Sequence, residues 1–314
     1  MKVVFFGSPE FAVASLEALL ASHHEVVGVV TQPDRPAGRG LKMEPPAVKV
    51  LALKHNLPIH QPEKVNCEET YAFLDRLDPD ILTVIAYGGF LGKKLLEPRR
   101  FPPVNVHPSL LPDLRGAAPM QWALLRGYAA TGVTTQFMVK EMDAGDVLLQ
   151  TNDPVGEDEN AAELQNRLKR VGGELLVKTL DGLADGSIKP RAQDGSKATF
   201  APLLAKEQGH MHFAAADASV LHNQARGLYP WPSAYTFLGG KRVKVLRTRR
   251  SLEHARGSPG TFWFEHDRMF VTCKESVLEI LELQLEGKRA MLPREFANGI
   301  GSLSPPYHFD QEPV

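Results

Sequence analysis

Phe101-Pro102-Pro103-Val104-Asn105-Val106-His107-Pro108-Ser109-Leu110-Leu111-Pro112, running on through Arg115-Gly116-Ala117-Ala118-Pro119, is the stretch on which the reading of this chain turns. Its spacing predicts a short strand ending near Val106, with Asn105 and His107 two apart and therefore on one face. Pro108 and Pro112 stop the strand and restrict the loop that follows. Pro119 suits the first turn of a helix beginning near Met120. In an open α/β sheet, ligands bind just beyond the carboxyl ends of the strands. An Asn-x-His pair there would aim an amide donor and a titratable imidazole at one spot. The same two side chains could instead satisfy loop backbone, and three residues alone leave both readings open.

Toward the N-terminus, Val3-Val4-Phe5-Phe6 is a continuous apolar run, as in a parallel strand buried on both faces. Gly7-Ser8-Pro9-Glu10 and a helical pattern from Phe11 to Ala21 follow, and Val26 to Val30 completes a βαβ unit. A dinucleotide site is rejected here. The second and third glycines of GxGxxG are missing, and Glu10 would place negative charge where a pyrophosphate must sit. From Thr31 to Pro46 the pattern breaks into a long loop rich in Pro and Gly, with Arg35, Arg39 and Lys42 set against Asp34. Loops of this length are commonly functional, and its charge suits a phosphate backbone, although a solvated loop would read the same way. Asp80 to Ala86 is a further buried strand ending at Tyr87-Gly88-Gly89, where backbone can approach a flat ligand.

The 314 residues suggest one large or two ordinary domains, with 43% hydrophobic residues and a formal charge of −1. Global charge therefore says nothing about nucleic acid, and a polyanion would have to meet a local patch. Two distant cysteines, Cys67 and Cys273, with no CxxC and no HExxH, point to a reduced, cytoplasmic protein without a structural zinc site. No leader peptide or membrane-spanning run is read, so no membrane partner is expected. Beyond the core stretch, Met142-Asp143-Ala144-Gly145-Asp146 is turn chemistry between two strand-like runs, and Asn160 to Leu183 is one long amphipathic helix. The expected division is a first domain over 1–188, a linker over 189–208 and a second domain over 209–314. In the second, short strand-like runs at Ala234 to Leu238, Val243 to Arg247, Gly260 to Glu265, Arg268 to Cys273 and Val277 to Leu283 suggest a small β-barrel. Lys241, Arg242, Lys244, Arg247, Arg249 and Arg250 form a basic stretch within it, either an RNA-facing patch or a solvated sheet edge.

Taken together these motifs resemble the methionyl-tRNA formyltransferase family. The residues that carry the resemblance are Phe6-Gly7-Ser8-Pro9-Glu10-Phe11-Ala12, Thr31 to Gly40, Ala86-Tyr87-Gly88, Asn105 to Pro112, Arg115 to Pro119, Met142 to Asp146, Pro230-Trp231-Pro232 and Glu286-Gly287-Lys288. Gly92 stands where the family usually has proline, and the last dozen residues match nothing. The resemblance implies a doubly wound, mostly parallel, Rossmann-like α/β domain followed by a small OB-like β-barrel. It implies formyl transfer from 10-formyltetrahydrofolate to the α-amine of charged initiator tRNA, with no metal and no obligate protein partner. Asn105, His107 and Asp143 are the implied catalytic residues. Ala86, Tyr87, Gly88 and the loop of Ser109, Leu110, Leu111 and Pro112 would hold folate. Arg35, Arg39, Lys42, Lys241, Arg242, Lys244 and Arg247 would meet tRNA. A formyltransferase acting on a small amine, or a non-catalytic RNA-binding protein of the same fold, are the alternatives. The long basic loop and the second domain argue against the first, and the intact Asn105, His107 and Asp143 against the second.

Overall fold

The computed structural model describes residues 1–37, 42–300 and 305–310. In chain order its first strands are β1 (Lys2–Gly7), β2 (Glu25–Val30), β3 (Arg35–Ala37), β4 (Lys42–Glu44), β5 (Ile59–His60), β6 (Ile81–Ile85), β7 (Val104–His107), β8 (Arg115–Gly116), β9 (Ala130–Phe137), β10 (Val147–Pro154) and β11 (Phe200–Ala201). Between them run α1 (Glu10–Leu20), α2 (Ala47–Lys54), α3 (Glu68–Leu77), α4 (Lys93–Leu96), α5 (Pro119–Leu125) and α6 (Ala161–Ala184). The chain divides into two compact units. The first comprises Met1–Pro119, Thr131–Asp153 and Gln165–Ala201, and the second Met120–Ala130, Pro154–Leu164 and Pro202–Val314.

The first unit is built on a sheet ordered β10-β9-β7-β6-β1-β2-β5. Strands β5, β2, β1, β6 and β7 are parallel, and β9 runs antiparallel to β7. This is the Rossmann-like mixed sheet expected from the apolar runs: Val3, Val4, Phe5 and Phe6 of β1 and Ile81 and Ile85 of β6 are wholly buried. The chain leaves β1 toward β2 and β5, then restarts on its other side with β6 and β7, so strand order reverses between β1 and β6. Ser8 stands at that crevice. Its hydroxyl donates to the Tyr87 carbonyl (3.1 Å) and accepts from the Gln32 amide (3.1 Å), tying three strand ends together. Gly7 is required for the same close approach, since a Cβ there would lie 2.6 Å from the Phe5 ring and 3.0 Å from the Ile85 carbonyl. Protein hydrogen bonds thus occupy the place that a dinucleotide fingerprint would leave for pyrophosphate.

One expectation is corrected. The stretch from Thr31 to Pro46 is not wholly loop, because β3 and β4 pair antiparallel, Arg35 with Glu44 and Ala37 with Lys42. Its base is fixed: the Lys49 ammonium donates to Asp34 (2.8 Å), and Gln61 Nε2 donates to the Gln32 carbonyl and to Asp34.

The second unit adds α7 (Ala218–Leu228), β12 (Ala234–Leu238), β13 (Lys241–Ser251), β14 (Thr261–Glu265), β15 (Arg268–Thr272), β16 (Val277–Leu285), α8 (Pro293–Gly299) and β17 (Tyr307–His308). Six strands form one antiparallel sheet ordered β12-β13-β16-β15-β14-β17. It curls until a bridge between Phe237 and Asp310 joins its two edges. Inside, the Phe262 ring stacks on Phe309 at 4.5 Å between centroids, and Phe213 stacks on Phe309 at 5.7 Å. Tyr307 and Phe309 belong to the final residues for which the sequence offered no role; they complete this core.

Residues 154–164 are clasped by the rest of the second unit. His222 Nε2 meets the Glu157 carbonyl at 3.0 Å and Nδ1 meets the Thr248 hydroxyl at 2.9 Å. Arg226 donates to the Gly156 carbonyl, and Arg247, Arg249 and Arg250 pair with Glu163, Asp158 and Glu157. Burial, aided by the like charges of Arg226 and Arg250, pushes the His222 ring below its ordinary 6.5, despite the opposing pull of the Glu157 carbonyl and Asp158. Unfolded chain therefore binds a proton at this ring that folded chain refuses, so stability is lost as pH falls below about 6.5. Urea midpoints of the second unit should drop between pH 7 and pH 5, with a shallower drop for His222→Gln. Equal slopes for both proteins would discount the ring as the cause.

Candidate active site

Strand β7 delivers Asn105 half-buried and His107 buried, at the carboxyl end of the sheet. The His107 Nε2 lies 3.0 Å from the Leu114 carbonyl, so that nitrogen carries a hydrogen and donates. The other nitrogen, Nδ1, faces Asp143 Oδ2 at 3.6 Å. A neutral ring in this tautomer turns its lone pair toward the carboxylate, and a protonated one turns a proton toward it. Asp143 is itself held twice: Oδ2 accepts from the Gly116 amide (2.8 Å) and Oδ1 from Gln136 Nε2 (3.1 Å). Its backbone is left-handed, with φ +51. Gly145 two residues on is a steric necessity, because a Cβ there would sit 1.8 Å from the Phe137 carbonyl oxygen.

Phe90, Leu91, Asn105, Met138, Met142 and Asp143 line a cleft of about 170 Å³. Its floor is polar at Asn105 and Asp143, and its lip is apolar, with Phe90 and Met142 64% and 67% exposed. Among the described residues the Asn105 amide makes no hydrogen bond within the protein. An amide left unspent beside a buried histidine–carboxylate pair has its donors available to a ligand.

The structure brings Asn105, His107 and Asp143 together. Ala86 and Gly88 lie exposed at the end of β6 with φ +46 and +79, while Tyr87 between them is buried against Phe6. Burial pushes the Tyr87 phenol up to about 12, so it stays neutral. Ser109, Leu110, Leu111 and Pro112 do not line the cleft. Ser109 donates to the Asp113 carbonyl, and Leu111 bonds to Thr134 and Gln150, so these residues brace the loop behind it. Arg35 pairs with Glu63 at 2.8 Å, Lys42 is exposed on β4, and Arg39 lies outside the described residues. On β13, Arg247 is engaged with Glu163 at 2.7 Å, whereas Arg242 lies over the Tyr235 ring at 4.2 Å beside exposed Lys241 and half-buried Lys244.

Two residues at the site were not singled out from sequence. Gln136 stands opposite Asn105 in the β7–β9 register and reaches Asp143. Gln193 comes from the stretch read as linker, where residues 191–201 are bonded back onto the first unit, Arg191 to Val147 and Thr199 to Leu114. No periodic signal marks either one; only the fold brings them near. Among the described residues, His23, His24 and Asp181 alone form a three-residue set whose donor atoms could share a metal ion, within 4.8 Å of one another. They stand before β2 and on α6 and share no residue with the cleft.

Residues 1–180 match the family described as formyl transferase, and residues 203–301 match the formyl transferase C-terminal domain. A methionyl-tRNA formyltransferase of Citrifermentans bemidjiense is 43% identical over 300 residues, covering 95% of this chain and 93% of that protein. The chain belongs to the methionyl-tRNA formyltransferase family. Its fold also recurs in the sugar 3N-formyl transferase WlaRD, solved with dTDP and 5-N-formyl-THF, at TM-score 0.67 and 17% identity over 92% of this chain and 99% of that one. HypX from Aquifex aeolicus, solved with tetrahydrofolic acid, matches at TM-score 0.62 and 15% identity over 95% of this chain, which spans about half of it (47%).

In this family member, Gly145→Ala should prove costly. The clash is with backbone, so the turn must shift, at a cost of about 1–3 kcal/mol of stability in the first unit. Chemical denaturation of the variant checks this; an unaltered midpoint would mean that the turn absorbs a methyl group freely.

Proposed function

We propose that this chain transfers the formyl group of 10-formyltetrahydrofolate to the α-amine of methionyl initiator tRNA. The observation that carries the reading is the convergence of an unspent amide, Asn105, with the His107–Asp143 pair at one cleft. A folate fits this cleft in kind: an apolar lip suits a flat ring, and the Ala86–Gly88 backbone and Asn105 offer polar partners. When bound it supplies the formyl group.

Attack by an amine on a formyl carbon puts negative charge on the formyl oxygen, and the Asn105 N–H is a preorganised donor for it. The amine must arrive neutral and lose a proton as the new C–N bond forms, while the bond from the formyl carbon to the folate nitrogen breaks and that departing nitrogen takes up a proton. His107, with Nε2 committed to Leu114, can hold or pass that proton only at Nδ1, beside the Asp143 carboxylate. Gly116 and Gln136 hold Asp143 in place and aim its carboxylate at that nitrogen.

The curled second-unit sheet is read as an OB-like barrel that grips the tRNA backbone, with the domain division near 189–208 as proposed from sequence. Lys241, Arg242 and Lys244, which have no carboxylate partner among the described residues, are its contacts, together with Arg35 of β3, Lys42 of β4 and Arg39. The reading also places the protein in the cytoplasm, where charged tRNA is.

Formyl transfer assayed with charged initiator tRNA, with elongator Met-tRNA and small amines as comparisons, tests the assignment. Failure on initiator tRNA alongside transfer to a small amine would refute it. Asn105→Ala and Asp143→Asn should each lower kcat by about 10²–10³ with KM nearly unchanged, since both act on charge present only in the transition state. A variant keeping half of normal kcat removes that residue from the chemistry. For tRNA binding, Lys241→Ala, Arg242→Ala and Lys244→Ala should each reduce the slope of log affinity against log salt by roughly one. Arg247→Ala should reduce it less, because Glu163 already neutralises that guanidinium. An unaltered slope in the triple variant would take RNA off this face.

A further inference from the structure

We infer that Gln193, steered by Arg115, is a positioning residue for the formyl transfer: it holds the Asp143 turn in the conformation that keeps the carboxylate opposite His107. The inference rests on the function proposed above and adds two residues to its machinery. Asp143 sits at φ +51, a region that residues other than glycine enter only when their surroundings impose it. The side-chain bonds from Gly116 and Gln136 aim the carboxylate but do not fix the backbone beneath it. Gln193 does. Its Nε2 donates to the Asp143 carbonyl at 2.9 Å and to the Gly145 carbonyl at 2.7 Å, straddling the turn, and lies 3.2 Å from Gln136 Oε1.

Arg115 decides which way this amide faces. Its Nε and Nη2 both donate to Gln193 Oε1, at 3.2 and 2.7 Å. Reversed, the amide would turn its NH₂ on a guanidinium and its oxygen on two carbonyls, with no acceptor for Arg115. Two of the three anchors of Asp143 therefore trace to β8: the Gly116 N–H grips the carboxylate, and the Arg115 side chain grips the amide that grips the backbone, while Gln136 of β9 holds the other oxygen. Any displacement of β8 or of residues 191–193 passes directly to the catalytic carboxylate.

Gln193→Glu tests this with almost no change of shape. The new carboxylate still accepts from Arg115 but faces the Asp143 and Gly145 carbonyls with oxygen where there was N–H. Expected is a fall in kcat of about 10–100-fold, the scale of a small misplacement at a reacting group, with KM for folate and tRNA within about twofold. Arg115→Lys, which keeps the charge but loses the fork, should give a smaller fall in the same parameter. Amide hydrogen exchange needs no substrate and should show faster exchange at Gly116 in both variants. Normal kcat per folded molecule in Gln193→Glu, or a change confined to KM, overturns the positioning role. If the wild-type chain proves inactive on charged tRNA, the substrate assignment has failed instead. The Gly116 exchange then decides the inference alone, and wild-type protection in both variants overturns it.

Discussion

The constraint on which the site depends is that a buried imidazole has only one nitrogen to spend. The Leu114 carbonyl takes Nε2 of His107, which leaves Nδ1 as the ring's sole reactive position and makes its neighbour, Asp143, the group that sets what the ring can do. A carboxylate in that place is useful only if it is held still. Three separate parts of the chain serve that end: β8 through Gly116, β9 through Gln136 and through the Phe137 carbonyl that admits only glycine at 145, and residues 191–193. Buried polar networks reward complete satisfaction and penalise gaps. Here each carboxylate oxygen of Asp143 has a donor, whereas the Asn105 amide has no partner among the described residues.

The same logic explains the N-terminal crevice. Doubly wound sheets bind ligands where strand order reverses, and this chain reverses between β1 and β6. At that point Ser8 fastens the ends of β1, β2 and β6 to one another, so the crevice is closed by hydrogen bonds. The cleft lies one strand over, at β7, which the antiparallel β9 flanks on its far side with Gln136 opposite Asn105. A parallel neighbour in place of β9 would need a crossover helix, whereas β9 leads through a short turn to Asp143 and back.

Much of this was legible in the sequence, for identifiable reasons. Val3-Val4-Phe5-Phe6 and Ile81 to Ile85 announce buried parallel strands by composition, and the Asn-x-His spacing fixes a shared face by the pleat alone. What escaped was non-periodic. Gln193 lies in a stretch poor in apolar residues, and its partners are 48–78 positions earlier in the chain. The β3–β4 hairpin is two three-residue strands containing a proline, so propensity argues for loop until the pairing is seen. Tyr307 and Phe309 enter a core only because the curled sheet offers β14 an edge. The basic stretch was visible, but the carboxylates of residues 157–163 that fold onto it were not.

That last point changes what β13 is. Arg247, Arg249 and Arg250 spend their charge on Glu163, Asp158 and Glu157, so their end of the strand fastens residues 154–164. Exposed pairs of this kind contribute about 0–1 kcal/mol each, weak enough to exchange partners. A phosphate reaching them must still displace a carboxylate, and displacing an anion with an anion releases little counterion. At the other end, Lys241, Arg242 and Lys244 meet no carboxylate among the described residues, and Arg242 lies over the Tyr235 ring, which restricts the guanidinium without neutralising it. One strand thus carries two kinds of positive charge, one structural and one left facing outward. Net charge near zero over the whole chain is compatible with an RNA-binding face because the neutralising acids are placed against the first kind and not the second.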